Sequence, residues 1–251
     1  MILYFSATGN SKYVAERIAR AMDDRAVSIE KQEAEIILAP EEILGLVTPT
    51  YLWQLPPIVR DFIGRLEVKG TGYAFGVSTY GTSPGFTREE LRRELARRGI
   101  QLSASFSVKM PDTWTPTYDL SDREKVGRLN ENAETQIDSV IAKIAGREGG
   151  NQTERRLPYI LKLIASPLFD AERRTKHFHA EESCIGCGLC AKQCPVGAIE
   201  MKDKRPEWVR EQCQACLRCL HHCPKFAIQY GNGKTKAHGQ YHNPHVTVIS
   251  R

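Results

Sequence analysis

The chain has 251 residues, 41% of them hydrophobic and 26% charged, with a net charge of +5, ordinary values for a globular protein that argue against disorder. No apolar run reaches the roughly 18–20 residues needed to cross a bilayer; the most apolar linker stretch, Leu157–Phe169, is broken by Lys162 and Pro167. Met1–Ser6 opens as a short buried strand with no basic segment before it, so no secretory signal is expected and a cytoplasmic location is. There, clustered cysteines usually mean metal and not disulfide.

After the strand Ile2–Phe5 comes Ser6-Ala7-Thr8-Gly9-Asn10-Ser11, then a helical pattern with Val14, Ile18, Ala21 and Met22 on one face. Strand, Ser/Thr/Gly loop and helix form a phosphate-binding geometry, with loop amides and the helix N-terminus aimed at the anion. The loop is neither GxxxxGK[ST] nor GxGxxG, and Ser or Thr at a helix start is often only an N-cap.

Alternating elements follow. Strands are expected at Ala26–Ile29, Ile43–Thr48, Tyr73–Thr79 and Leu102–Val108, with helices at Ile58–Leu66, Thr87–Arg98 and Arg123–Ala145. This alternation predicts a parallel sheet covered on both faces, with ligands bound beyond the carboxyl ends of its strands. Two loops there carry aromatics and turn-formers, Pro49-Thr50-Tyr51-Leu52-Trp53 and Thr79-Tyr80-Gly81. Either could stack on a planar ring, with Gly81 allowing close backbone approach. On the helix Thr87–Arg98, Glu89–Arg93 and Glu94–Arg98 stand at i,i+4 and suggest a solvated, ion-paired face. The turn-rich Met110–Pro116 stretch, with Trp114, lies at the same sheet edge. It covers that site, contacts the cysteine-rich module or packs under the next helix.

These three loops together resemble the flavodoxin family across roughly residues 1–147. The resemblance implies a doubly wound five-stranded parallel sheet in the order 2-1-3-4-5. It also implies FMN, with its phosphate at Ser6, Ala7, Thr8, Gly9, Asn10 and Ser11. Its ring would lie between Pro49, Thr50, Tyr51, Leu52, Trp53 on one face and Thr79, Tyr80, Gly81 on the other. No long insertion interrupts the fifth strand, as in short-chain versions.

Gly146–Thr153 reads as a polar break between domains and Leu157–Ser166 as a bridging helix, within a linker of residues 148–180. All eight cysteines then fall between residues 184 and 223. CxxCxxCxxxCP followed by an Ala-Ile pair occurs twice, from Cys184 and from Cys213. Structural zinc also uses CxxC pairs, but it leaves the third cysteine and the CP step of each run unexplained. Residues 181–230 resemble bacterial-type ferredoxins, small α+β domains with two [4Fe–4S] clusters. In that pattern the fourth ligand comes from the other run. The resemblance implies Cys184, Cys187, Cys190 and Cys223 for one cluster and Cys213, Cys216, Cys219 and Cys194 for the other. Gly186 and Gly188 would let backbone amides approach sulfur.

Residues 151–251 hold 16 basic and 9 acidic side chains against 19 and 21 in residues 1–150. Part of this excess offsets cluster charge, and the remainder suits an acidic protein partner and not nucleic acid. The basic tail, residues 231–251, holds His238, His242 and His245 and reads as solvated or docking, with no carboxylate or cysteine to complete a metal site. The whole order resembles flavodoxin–ferredoxin fusion proteins. It implies electron transfer between the clusters and FMN on behalf of redox protein partners. The rival expectations are a flavin-dependent reductase of a small molecule (quinone, nitro compound or unsaturated acid), and a redox sensor whose tail docks a client. For acid–base chemistry only Asp112 and Tyr118 stand near the flavin loops, and no catalytic residue is assigned.

Overall fold

The computed structural model describes all residues except 34, 40, 71, 155, 156, 159 and 248–251. In chain order the elements are β1 (Ile2–Tyr4), α1 (Asn10–Ala21), β2 (Ala26–Ser28), β3 (Glu35–Ile37), β4 (Ile43–Pro49), α2 (Pro57–Arg65), β5 (Glu67–Lys69), β6 (Tyr73–Tyr80), α3 (Thr87–Ala96), β7 (Ala104–Lys109), α4 (Arg123–Ala145) and β8 (Gly150–Gln152). Then follow α5 (Leu161–Glu172), β9 (Phe178–Ala180), α6 (Leu189–Lys192), β10 (Ile199–Lys202), β11 (Arg205–Trp208), α7 (Arg218–His221), β12 (Ile228–Tyr230) and α8 (Lys234–His238).

The main sheet runs β2-β1-β4-β6-β7-β8 and is parallel throughout. Its first five strands have the expected 2-1-3-4-5 order. The sixth is a departure: Gly150–Gln152, expected within a linker, adds to the edge through backbone pairing with β7, led by the Gly150 N–H to the Ser103 carbonyl at 2.9 Å. β6 is buried along its whole length, as the centre of a sheet covered on both faces must be. One face packs α1 and α4 through Val14, Ile18, Ala133 and Ile137; the other packs α2 and α3 through Val59, Phe62, Leu91 and Leu95. α1 buries Ala15 and Ala19 beside Val14 and Ile18, leaving the expected Ala21 exposed.

α3 also departs from expectation. Glu90 and Glu94 are buried, and among the described residues the ion pairs differ from the expected i,i+4 ones. Glu94 pairs with Arg97 and Arg93, while Arg98 reaches Glu67 and the Leu66 carbonyl. Glu90 turns inward because the Leu55 amide needs an acceptor there, at 2.7 Å, and Lys162 of α5 neutralises its charge. α5 begins four residues later than the bridging helix expected from Leu157 and runs to Glu172, with Pro167 inside it; residue 159 lies outside the described residues.

The C-terminal unit pairs β9 with β12 and β10 with β11, both antiparallel, around Phe178, Ile199, Leu217, Leu220 and Ile228. No helix among the described residues is long and apolar enough to cross a membrane.

Candidate functional site

At the carboxyl end of β1 the chain turns through Ser6–Gly9 into α1, with Gly9 as N-cap at φ 105°. The Gly9 N–H donates to Ser6 Oγ at 3.1 Å, and the Ser11 and Thr79 hydroxyls meet at 2.8 Å. Among the described residues the Ala7 and Thr8 amides find no acceptor, and the first-turn amides of α1 have none within the helix. A concave set of unpaired N–H groups is the donor chemistry a phosphate requires.

The loop after β4 is stiff. Leu52 and Trp53 both have positive φ (40° and 65°), and Tyr51 and Gln54 close the turn with two 3.0 Å backbone bonds. Gly85 packs against it so closely that a Cβ there would sit 2.3 Å from the Trp53 carbonyl oxygen. At Gly81 a Cβ would lie 2.2 Å from the Asp112 Cβ. Tyr80 is buried at the end of β6, its hydroxyl donating to Glu154 at 2.6 Å.

These loops enclose one cavity of about 320 Å³. Every residue expected at the flavin site lines it except Gly9, which shapes the turn from behind. Met110–Trp114, Thr117 and Tyr118 supply a further wall. Asp112 accepts the Trp114 N–H at 3.1 Å, and burial pushes its carboxyl up to about 6. Sequence reasoning missed the last wall: Leu168, Phe169 and Glu172 of α5, and Ala215, Cys216 and Leu217 of the second cysteine run.

The cysteines gather crosswise. Cys184, Cys187, Cys190 and Cys223 surround one small cavity, and Cys194, Cys213, Cys216 and Cys219 a second. Four thiols around each cavity are the donor set of an iron–sulfur cluster. As bare thiols, Cys190 and Cys213 are pushed by burial up to about 11 and 12; bound iron would supply the positive charge that buried thiolates need. Backbone amides reach sulfur from Ala198 to Cys194, Ala227 to Cys223 and Ala215 to Cys213, at 3.2–3.3 Å, and the Arg218 amide bonds Cys216. Gly186 serves instead a close backbone approach, its hypothetical Cβ lying 2.6 Å from the Lys204 carbonyl oxygen.

The second run is locked onto the phosphate-type loop. Arg218 holds both carboxylate oxygens of Glu30 at 2.7 Å and the Ser6 carbonyl at 2.8 Å, with its guanidinium over the Phe5 ring. His222 Nε2 lies 3.0 Å from the Ala7 carbonyl. His221 accepts the Tyr241 N–H at Nδ1, so its Nε2–H donates to the Thr113 carbonyl; burial pushes this imidazole down to about 3 and keeps it neutral. The tail docks as well. The Asn243 N–H donates to the Thr8 carbonyl at 2.8 Å, and the Tyr241 hydroxyl lies 2.8 Å from Asn10 Oδ1.

A flavodoxin domain model matches residues 1–139 and a 4Fe-4S dicluster domain model residues 183–237. An uncharacterized ferredoxin of Methanocaldococcus jannaschii is 71% identical over 24 residues, 10% of this chain and 14% of that protein. Ferredoxin-1 of Rhodospirillum rubrum is 58% identical over 26 residues, 10% of this chain and 47% of that one. The chain spans less than half the length of each of these curated relatives. Among solved structures, two-electron reduced Megasphaera elsdenii flavodoxin aligns at 21% identity and TM-score 0.36, over 44% of this chain and 87% of that one. The rubredoxin oxygen:oxidoreductase of Desulfovibrio gigas aligns at 16% and 0.35, over 57% and 36%.

Proposed function

Because the chain belongs to the flavodoxin domain family and carries a 4Fe-4S dicluster domain behind it, we propose that it is an electron-transfer flavoprotein that holds one FMN and two [4Fe–4S] clusters and serves external redox proteins. When bound, FMN supplies one- and two-electron transfer and each cluster one-electron transfer. The unpaired amides of Ala7, Thr8 and the first turn of α1 would take the phosphate. Trp53 and the Thr79–Gly81 turn would flank the ring, and the two crosswise cysteine sets would hold the clusters. Leu168, Phe169 and Glu172 of α5 and the Met110–Trp114 loop after β7 would form further walls of the cavity.

The observation that carries this reading is a shared wall: Cys216 lines both the flavin-type cavity and the second cysteine cage. Fusion alone raises effective concentration; a common wall adds fixed geometry. The test is anaerobic purification with iron, sulfide and FMN quantitation. About eight irons and one FMN per chain are expected, whereas bound zinc with little iron and no flavin would sink the proposal.

The small-molecule reductase reading has one observation in its favour, the Asp112 carboxyl on the cavity wall with its raised pKa. Saturable turnover of a quinone or nitro compound by the loaded protein would decide for it.

A further inference from the structure

The two cysteine runs differ where the chain must turn left-handed. In the first run those positions are Gly186 and Gly188, at φ 68° and 72°, a conformation glycine adopts freely. In the second they are Ala215 and Leu217, held at φ 50° and 54°. A bulky side chain in that conformation is a strained outlier. Since the first run builds its cage with glycine, cage building does not explain the two side chains.

Their surroundings do. Ala215 and Leu217 are 5% and 2% exposed, and with Cys216 between them they line the flavin-type cavity. Leu217 and Cys216 also line the second cage. The first cage shares no lining residue with that cavity.

We propose that Ala215 and Leu217 are positioning residues of the flavin–cluster contact. Their side chains form the wall on which the ring seats and exclude water between it and the Cys194/Cys213/Cys216/Cys219 cage. This makes the second cage the flavin-side one and leaves the first, with its exposed Cys187, facing outward. The inference rests on FMN occupying the cavity. The electron count is simple: a reduced bipyridinium donor gives one electron to the clusters and is oxidised, and one electron then leaves the second cluster and is gained by the flavin.

The test uses FMN- and cluster-loaded full-length protein mixed anaerobically with that donor, following cluster and flavin bleaching separately. Leu217→Ala is expected to slow flavin bleaching at least fivefold with cluster bleaching unchanged, and to raise iodide access to the bound flavin. Leu217→Met restores both to within about twofold. Leu217 also packs in the C-terminal core, so Leu217→Ala alone could act by unfolding; Ala215→Gly separates the roles. Glycine relieves the backbone, so its thermal midpoint should hold or rise while flavin bleaching slows at least twofold and iodide access increases. A residue of purely structural importance would lose stability together with rate. Unchanged bleaching and iodide access in Ala215→Gly, with iron and FMN at wild-type levels, overturns the proposal. Failure of the wild-type chain to take up FMN overturns instead the electron-transfer reading beneath it.

Discussion

Substituting Asp112 by asparagine tests the burial argument at the cavity wall in quantitative form. The carboxyl accepts one N–H, from Trp114, and burial raises it from 3.8 to about 6. A raised pKa means that the folded chain holds this proton more tightly than the unfolded chain. Ionisation therefore costs stability as the pH climbs above the unfolded value, and the cost saturates above the folded one. Roughly two units at 1.36 kcal/mol each set the full penalty at about 3 kcal/mol, with about half already present at pH 5. Asparagine keeps the shape and the acceptor oxygen but carries no charge. In cluster-loaded, FMN-free protein, Asp112→Asn should therefore gain about 1.5 kcal/mol on the wild type between pH 5 and pH 8. For a chain of this length that is about 3–6 °C of thermal midpoint, read by anaerobic thermal scanning. Midpoints that run parallel across this range would refute the reasoning, and a wild type that gains on the variant would reverse its sign.

Arg218→Met should lower the thermal midpoint by roughly 3–12 °C, because it strips the Ser6 and Gln193 carbonyls and the solvent-accessible Glu30 carboxylate of a charged donor worth about 1.5–3 kcal/mol. Deleting residues 240–251 removes Tyr241 and Asn243, the donors to Asn10 Oδ1, and should weaken FMN binding about tenfold by the loss of about one to two hydrogen bonds, read by fluorescence titration. Cys223→Ser should lose the cluster held with Cys184, Cys187 and Cys190, and Cys194→Ser the other; iron analysis and low-temperature spin resonance of each variant would expose a sequential, non-crossed arrangement if one exists.

Much of the site could be read from the sequence because its residue types are forced. A cavity at the strand ends needs Ser, Thr and Gly at the first turn, and crosswise cages need cysteines at fixed spacing. What escaped prediction is held by tertiary hydrogen bonds, which leave no period in the chain. Gly150–Gln152 has no apolar alternation and joins the sheet through its backbone alone. Glu90 belongs to a helix whose Arg/Glu spacing suggests a solvated face, yet the Leu55 amide holds it inward. The tail's Tyr241 and Asn243 are polar and isolated in sequence, yet each is only 2% exposed because Asn10, Thr8 and His221 bond them. Leu217 did leave a trace, since aligning the two runs places it opposite Gly188; only the backbone angle gives that difference a meaning.

The junction between the two halves combines apolar contacts, Trp114 on Tyr230 and Tyr241 on Leu120 and Val126, with a set of polar bonds that apolar packing alone would not need. Arg218, His221, His222 and Gln214 all bond across it, to Glu30 and Ser6, Thr113, Ala7 and Ile58 respectively. Buried polar contacts of this kind add little net stability, but they penalise every misaligned arrangement by leaving a charge or carbonyl unpaired. An apolar patch tolerates sliding; a bidentate Arg218–Glu30 pair beside a strained Leu217 does not. The junction therefore gives up some stability for one register, and that register sets Cys216, and not Cys187, against the cavity wall.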